Sequence, residues 1–289
     1  MMTVLDITMR VFILINYQYY ITNIYFYNIK HIDTFMTSIF IKTYPKDHVW
    51  LQYLLPSIEK YAEGFKDVVI VSDSGSVIPP EYLSSIKKFP VHVHYIPVPK
   101  QTKEYPQFNT VTGLGYLWQQ YIKLNWHNIC DADSALLLDS DEMLCKLTTP
   151  DHFKHDGKWV WTYRPWKDAG DAICWKKSTD QILGQNTPYE AMTAVGFVLT
   201  RTATNNLLNH IYQTHAISNL WELVVKKKMN SFSEYNMYGS YIHSVNDPAY
   251  YYNIQNDILL QDCIIVNWSW GGITDEIHRK ALSYLGISN

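Results

Sequence analysis

The sequence lacks a strong net charge, paired cysteines and a long uninterrupted apolar run. Its 24 Lys and Arg residues nearly balance 27 Asp and Glu residues, which leaves a net charge of −3. Such a chain has no electrostatic footprint for nucleic acid or an anionic membrane, so neither partner is expected. The 4 cysteines form no CxxC pair, which argues against a zinc site and is typical of reduced thiols in an intracellular protein.

The first 35 residues have no clear place in a folded domain. Residues 11–29 are apolar but are interrupted by Asn and Gln, whereas a membrane helix needs about 20 mainly apolar residues. No stable membrane span is therefore expected. Met36 stands just before the first clear strand pattern. We interpret 1–35 as a dispensable N-terminal extension and 36–289 as a single domain.

Beyond that extension, short apolar strands alternate with helical patterns. Hydrophobic residues make up 47% of the chain, ample for a core. The alternation predicts an α/β fold with a mostly parallel, doubly wound sheet, in which ligands bind at the carboxyl ends of strands. Predicted strands are 38–43, 68–71, 91–96, 135–138, 159–163 and 194–200; predicted helices are 49–61, 115–124, 204–215, 219–227 and one that opens at Ser231.

An acidic triplet, Asp139-Ser140-Asp141, directly follows the apolar strand 135–138. A second acidic residue, Asp73, follows the strand 68–71. Carboxylate oxygens suit Mg²⁺ or Mn²⁺, which also bind phosphate oxygens. Such an ion neutralises the charge that develops on a diphosphate leaving group when a sugar is transferred from a nucleotide sugar. The pattern therefore favours a metal-dependent glycosyltransferase.

Other interpretations of the triplet stay open. A bare D-x-D arises by chance, and Asp131-Ala132-Asp133 is a rival pair that we interpret as a solvated loop because no apolar strand precedes it. A calcium loop over 131–142 lacks the glycine at its sixth position. The motif also resembles that of haloacid-dehalogenase phosphatases, in which the first Asp is a nucleophile. A non-catalytic glycan-binding protein is a further alternative, because the chain has 23 Tyr and 10 Trp residues.

Several segments, taken in order, resemble one family. The segments SIFIKTYPKD, VVIVSDSG, GYLWQQYIKL, ALLLDSDEM and FSEYNMYGSY are similar to the glycosyltransferases of GT-A type in the DUF6492 group. Within that group the chain looks most like viral xylosyltransferases of capsid-glycan synthesis. The resemblance implies a GT-A (Rossmann-like) fold, UDP-xylose as donor and a fucose-bearing glycan as acceptor. For a viral protein it also implies a location in the host cytoplasm.

The resemblance also implies roles for individual residues. The first strand ends where such proteins contact the nucleobase, and the second ends on an acid that binds uracil or ribose. The helix before the metal strand carries two polar residues that would reach ribose or phosphate. The implied donor-site residues are Thr43, Tyr44, Asp73, Gln120, Lys123 and Asp139, and Asp141 is the implied principal metal ligand, with Asp139 nearer the ribose.

Inverting transfer needs a base that removes the proton of the acceptor hydroxyl. Glu234 stands at the predicted start of a helix, where many GT-A proteins place this carboxylate. It also fits a capping box that begins at Ser231, in which its side chain would only cap the helix. Glu190 is the second candidate. Three tryptophans, Trp161, Trp166 and Trp175, are candidates for an acceptor pocket, although core packing accounts equally well for each.

Overall fold

A computed structural model describes residues 35–99, 113–225, 229, 231–254, 261–267 and 269–287. The predicted extension 1–35 lies outside these residues except for Phe35. Residues Met36–Asn289 form one compact unit. In the described part of the chain, no helix is both long enough and apolar enough to cross a membrane.

The described elements alternate in the first half of the chain as the sequence predicts. The strands are β1 (Thr37–Thr43), β2 (Val68–Asp73), β3 (Val91–Ile96), β4 (Ser134–Asp139), β5 (Glu142–Leu144), β6 (Lys154–His155), β7 (Lys158–Thr162), β8 (Arg164–Pro165), β9 (Tyr189–Glu190), β10 (Val198–Thr200), β11 (Tyr250–Asn253) and β12 (Ile264–Val266). The α-helices are α1 (Leu51–Tyr61), α2 (Pro80–Leu83), α3 (Leu114–Leu124), α4 (Lys176–Leu183), α5 (Arg201–His215), α6 (Trp221–Val225), α7 (Glu234–Ser244) and α8 (Asp275–Leu285).

The central sheet has the strand order β10-β4-β1-β2-β3. Strands β1 to β4 run parallel, and β10 pairs with β4 in the antiparallel direction. β1 is buried throughout, and β2 and β4 are buried up to their last residue, as expected of parallel strands covered on both faces. The predicted α/β class with a mostly parallel central sheet is confirmed, and the arrangement is compatible with a Rossmann-like fold.

Some predicted boundaries differ from the structure. The helix predicted over 49–61 begins two residues later, at Leu51. Val49 and Trp50 belong to a 3-10 turn over Pro45–Trp50, which Pro45 opens. Only Val198–Thr200 of the strand predicted over 194–200 pairs with β4. The helix predicted over 219–227 is α6, and its last two predicted residues lie outside the described residues.

The helix α7 packs unusually close to the strand β7. A Cβ atom added at Gly239 would lie 2.3 Å from Nε1 of Trp161 and 2.5 Å from Cβ of Ala191. The Trp161 indole in turn donates a hydrogen bond to the Ala191 carbonyl at 2.9 Å. Glycine at 239 is therefore the residue that permits this approach, and the approach fixes the helix on which Glu234 lies.

Arg201 holds the turn that leads into β4. Its guanidinium group donates hydrogen bonds to the carbonyl oxygens of His127 at 2.6 Å, Cys130 at 2.7 Å and Ala132 at 2.9 Å. The same group lies 5.6 Å from the ring centroid of Trp126, within cation–π range. The entry to β4 is thus fixed from the first turn of α5.

The His127 side chain in this turn makes stability depend on pH. Burial, together with the charge of Arg201, lowers the pKa of His127 to about 4, whereas an unfolded histidine has a pKa of about 6.5. Between these values the unfolded chain binds the proton more readily than the folded chain. The free energy of unfolding is therefore expected to fall as the pH drops from about 6.5 to about 4.

Urea denaturation of the wild type and His127→Gln at about pH 7 and about pH 5 measures this contribution. Between about pH 7 and about pH 5, the free energy of unfolding is expected to fall less in the variant than in the wild type, whatever the stability of the variant at neutral pH. Equal losses in the two proteins would show that His127 does not carry the effect.

Candidate functional site

Acidic residues from two strands meet at one edge of the central sheet. Asp73 is the last residue of β2 and Asp139 the last residue of β4, and these strands flank β1 on its two sides. Because β1, β2 and β4 are parallel, their carboxyl ends lie at the same edge. Thr43 ends β1 between them. The sequence prediction that these strand ends share one site is therefore consistent with the topology.

The Lys123 ammonium is the centre of this edge. Its Nζ lies 2.7 Å from Oδ1 of Asp139 and 2.9 Å from Oε1 of Glu234, and it donates a hydrogen bond to the Tyr235 hydroxyl at 3.2 Å. The Lys123 and Glu234 side chains are each only 2% exposed. Burial alone would lower the pKa of Lys123, but the charges of Asp139 and Glu234 raise it well above its usual range. The Lys123 ammonium is therefore charged, and the carboxylates of Asp139 and Glu234 offset its charge.

This placement differs from the predicted donor contact of Lys123. An ammonium group has three N–H donors, and the three partners above take all of them. Gln120, the other predicted donor residue on α3, accepts a hydrogen bond from the Glu234 backbone at 3.0 Å. Both side chains lie on the buried face of α3, which packs against α7, so they join the two helices. The neighbouring Gln119 instead donates to Oδ1 of Asp139 at 3.1 Å.

Asp141 is held from the C-terminal part of the chain. Its Oδ2 accepts the Ser269 backbone N–H at 2.8 Å, and its carbonyl oxygen accepts the Asn267 N–H at 2.8 Å. Burial, followed by the nearby charge of Asp139, raises the pKa of Asp141 to about 6. Glu142 closes the same turn, because its Oε2 accepts the Asp139 backbone N–H at 3.0 Å.

A buried lysine also faces Asp73. Nζ of Lys42 lies 2.7 Å from Oδ1 of Asp73 and donates to the Thr43 carbonyl at 2.6 Å. Burial and the charge of Lys123 lower the pKa of Lys42, although Asp73 opposes this shift. Lys42 was not predicted as a site residue, although a lysine inside the apolar strand SIFIKT was an available signal. Next to it, the His48 ring and the Ser72 hydroxyl are 2.7 Å apart.

Asp47 and Tyr44 lie on the same side of the edge. Asp47 lies near the Tyr44 phenol and near the Ser140 side chain of the triplet, and both neighbours influence its pKa. Burial, then the charge and hydrogen bond of Asp47, raise the pKa of Tyr44 to about 12. Asp47 was not predicted, because its 3-10 turn meets the triplet only in the folded chain. Tyr44 is 36% exposed.

The two base candidates are both buried. Ser233, not Ser231, is the N-cap of α7, and its hydroxyl accepts the Asn236 N–H at 3.2 Å. Both the helix start predicted at Ser231 and the capping-box interpretation of Glu234 are therefore wrong, since Glu234 is the first helical residue and pairs with Lys123. Glu190 is fully buried, and its oxygens accept Nε of Arg164 at 2.9 Å and the Met192 N–H at 2.8 Å.

The three candidate tryptophans have different surroundings. Trp161 and Trp166 are buried, so packing accounts for both. Trp175 is only half-buried and stacks on Tyr116, with ring centroids 5.4 Å apart and an angle of 11° between the planes. Burial, followed by the charge of Glu234, raises the pKa of Tyr116 well above its usual range.

The rival acidic pair has a structural role. Oδ2 of Asp133 accepts the Met36 backbone N–H at 2.8 Å, and the Asp133 N–H donates to the Met36 carbonyl at 3.0 Å. Asp131 is exposed and lies beside Lys66. These contacts agree with the interpretation of this pair as a surface loop.

The donor set at the edge fits a divalent ion that is held only partly by protein. Among the described residues, no three or more His, Cys, Asp or Glu side chains converge to hold a metal. Mg²⁺ is commonly bound through one or two carboxylates plus substrate phosphates and water. Asp141 and Asp139 could supply those carboxylates. Burial is the larger cause of the raised pKa of Asp141, and the charge of Asp139, which a cation would offset, is the second.

The chain belongs to DUF6492, described as a family of unknown function, which it matches over residues 31–266. The match spans the central sheet and every residue of the edge described above except Ser269 and Asn267. No curated protein matches the chain.

Proposed function

We propose that the protein transfers a sugar from a nucleotide sugar to a glycan hydroxyl with the help of Mn²⁺ or Mg²⁺. The observation that carries the proposal is the D-x-D motif at the carboxyl end of β4, with two carboxylates fixed by different partners. Lys123 orients Asp139, and the Ser269 N–H orients Asp141. UDP-xylose as donor, a fucose-bearing glycan as acceptor, and inversion at the transferred carbon extend the proposal through the family resemblance.

In this proposal Asp141 is the main metal ligand and Asp139 lies nearer the ribose. A bound divalent ion would neutralise the charge of the departing diphosphate. Asp139 reaches the donor through its second oxygen, because Lys123 and Gln119 already bond Oδ1. Carboxylates outnumber lysines at this edge, so a diphosphate alone would be repelled. A bound divalent cation would offset this repulsion and favour diphosphate binding.

The nucleobase side is proposed to lie over the ends of β1 and β2. The partly exposed Tyr44 ring offers a stacking surface there. Oδ1 of Asp73 is bound to Lys42, so Asp73 would accept a hydrogen bond from uracil or ribose through its other oxygen. Thr43 lies between them, and its buried hydroxyl has no hydrogen-bond partner among the described residues.

Glu234 is the proposed base, but its buried carboxylate must first become accessible to the acceptor. Its Oε1 is bound to Lys123 and its side chain is 2% exposed, so an acceptor hydroxyl would have to reach Oε2 after access opens. Burial raises the pKa of Glu234, which suits a carboxylate that accepts a proton. Trp175, stacked on Tyr116 next to this carboxylate, is the proposed platform for the acceptor sugar.

A thermal-shift screen of the full chain against nucleotide sugars, with and without Mn²⁺, tests the proposal. A donor at about 100 times its dissociation constant stabilises the native state by about 2.7 kcal/mol. A clear rise in Tm is therefore expected with the donor and Mn²⁺ together, followed by release of the nucleoside diphosphate when an acceptor glycan is added. A response to glycan alone would indicate a lectin, and hydrolysis of p-nitrophenyl phosphate would indicate a phosphatase.

A further inference from the structure

Two cysteines face each other across the ribbon formed by β5 and β12. The antiparallel ladder ends at the pair Leu144 and Ile264. Cys145 follows β5 directly, and Cys263, the last residue of the 3-10 turn Gln261–Cys263, directly precedes β12. The Cys145 N–H donates to the Cys263 carbonyl at 2.9 Å, so the two backbones stay hydrogen-bonded one residue beyond the ladder, in the manner of a hydrogen-bonded antiparallel pair. Both cysteines are present as thiols.

The spacing of such a pair allows a disulfide. Residues in a hydrogen-bonded antiparallel pair have Cα atoms about 5.5 Å apart, within the range of about 4.4–6.8 Å that disulfides span. Sγ of Cys145 already reaches across the ribbon and donates to the Asp262 carbonyl at 3.3 Å. Burial, followed by the charges of Asp262 and Cys145, raises the pKa of the Cys263 thiol.

We propose that Cys145 and Cys263 form a reversible disulfide that fastens β12 to β5 beside the acidic triplet. The oxidant is a low-molecular-weight disulfide of the glutathione class. Reversibility follows from the geometry, because hydrogen-bonded cross-strand pairs hold their Cβ atoms farther apart than a relaxed disulfide requires. Strained disulfides are the more readily reduced ones.

The exchange balances in two steps. The half-buried Cys145 loses its proton and attacks one sulfur of the oxidant, which releases one small thiolate and leaves a mixed disulfide. Cys263 then loses its proton and attacks Sγ of Cys145, which releases the second thiolate. The two protons end on the two small thiols, so one external disulfide is reduced for each internal disulfide formed.

The disulfide would act on the segment that holds Asp141. β12 ends at Val266, and the next residues include Asn267 and Ser269, whose amides bond the Asp141 carbonyl and carboxylate. Fastening β12 at Cys263 restrains this segment and therefore the orientation of Asp141. Only the effect on metal binding rests on the proposed function; the disulfide and the restraint do not.

The test treats the full chain with oxidised glutathione and maps disulfides by peptide mass spectrometry without reduction. Hydrogen exchange of the peptide that covers 264–267 is followed in the same samples. We expect a linked Cys145–Cys263 peptide, and exchange slowed by about tenfold. Cys145→Ser should abolish both effects, whereas Cys174→Ser, which removes an exposed cysteine, should leave both intact.

Two outcomes would overturn the inference. One is a protein that carries glutathione on Cys174 without a Cys145–Cys263 link after prolonged oxidation. The other is a linked protein whose 264–267 exchange is unchanged, since the link would then restrain nothing at the site. Neither measurement uses a donor or a metal. Disulfide mapping and hydrogen exchange would therefore still test the disulfide if the proposed function were wrong.

Discussion

Replacement of Asp141 by Asn should reduce donor turnover by about 10²–10³-fold while the protein remains folded. The Asn side chain has the same shape and can still accept the Ser269 N–H through its oxygen. It lacks the negative charge that would hold the divalent ion, so the Mn²⁺-dependent part of the donor thermal shift should disappear with the activity. Nucleoside diphosphate release and the shift with and without Mn²⁺ measure the two effects.

Asp131→Asn is the matched control for this variant. It makes the same chemical change in the other D-x-D, at a residue that is exposed and lies beside Lys66. The control should keep both turnover and the Mn²⁺ response. If Asp141→Asn behaved like Asp131→Asn, with near-normal turnover, the metal assignment at the end of β4 would be wrong.

Replacement of Lys123 by Met should destabilise the protein by about 3–5 kcal/mol. The substitution keeps much of the side-chain volume but removes the ammonium, and so leaves the buried Glu234 and the half-buried Asp139 without their shared cation. The sign follows from the pKa of Lys123, which its partners raise well above the usual range. The folded state therefore prefers the charged lysine at neutral pH. Urea denaturation gives the change in free energy of unfolding directly.

A double variant separates the ion pair from packing. Lys123→Met with Glu234→Gln removes one uncompensated carboxylate as well, so it should be more stable than Lys123→Met alone, and the double-mutant cycle gives the coupling energy. The exposed Lys46→Met serves as a surface control and should change stability by less than about 0.5 kcal/mol. A loss for Lys123→Met no larger than that of Lys46→Met would show that the ion pairs of Lys123 with Asp139 and Glu234 do not stabilise this edge.

Glu234→Gln also distinguishes a base from a positioning residue. A base lost from the reaction lowers turnover by about 10²–10⁴-fold and removes the acidic limb of its pH profile. A residue that only balances Lys123 would lower stability but leave the shape of that profile unchanged.

The first half of the fold could be predicted from the sequence because its signals are local. The apolar runs that become β1, β2 and β4 are each buried on both faces, and β2 and β4 each end on an acidic residue. Asp73 and Asp139 could therefore be placed at one sheet edge before the structure was known. The alternation of strands and helices was enough to predict that these strands are parallel.

The rest of the site could not be predicted because its contacts join distant segments. Lys123 bonds Glu234 across 111 positions of sequence (234 − 123), and no local pattern reports that α3 and α7 pack together. The helix start predicted at Ser231 was wrong for the same reason. The donor roles of Gln120 and Lys123 stay predictions, and no local pattern could show that both side chains contact Glu234 on another helix.

The bond between the Ser269 amide and Asp141 has a consequence for how the protein is made. These residues are 128 positions apart, whereas β4 pairs with the earlier strand β1. During synthesis the sheet can therefore assemble well before Ser269 leaves the ribosome. Until then Asp141 lacks the hydrogen bond from the Ser269 amide. A nascent chain that already has its core is expected to lack a finished Asp141 site until this late segment docks, so folding and the gain of activity are separate events in time.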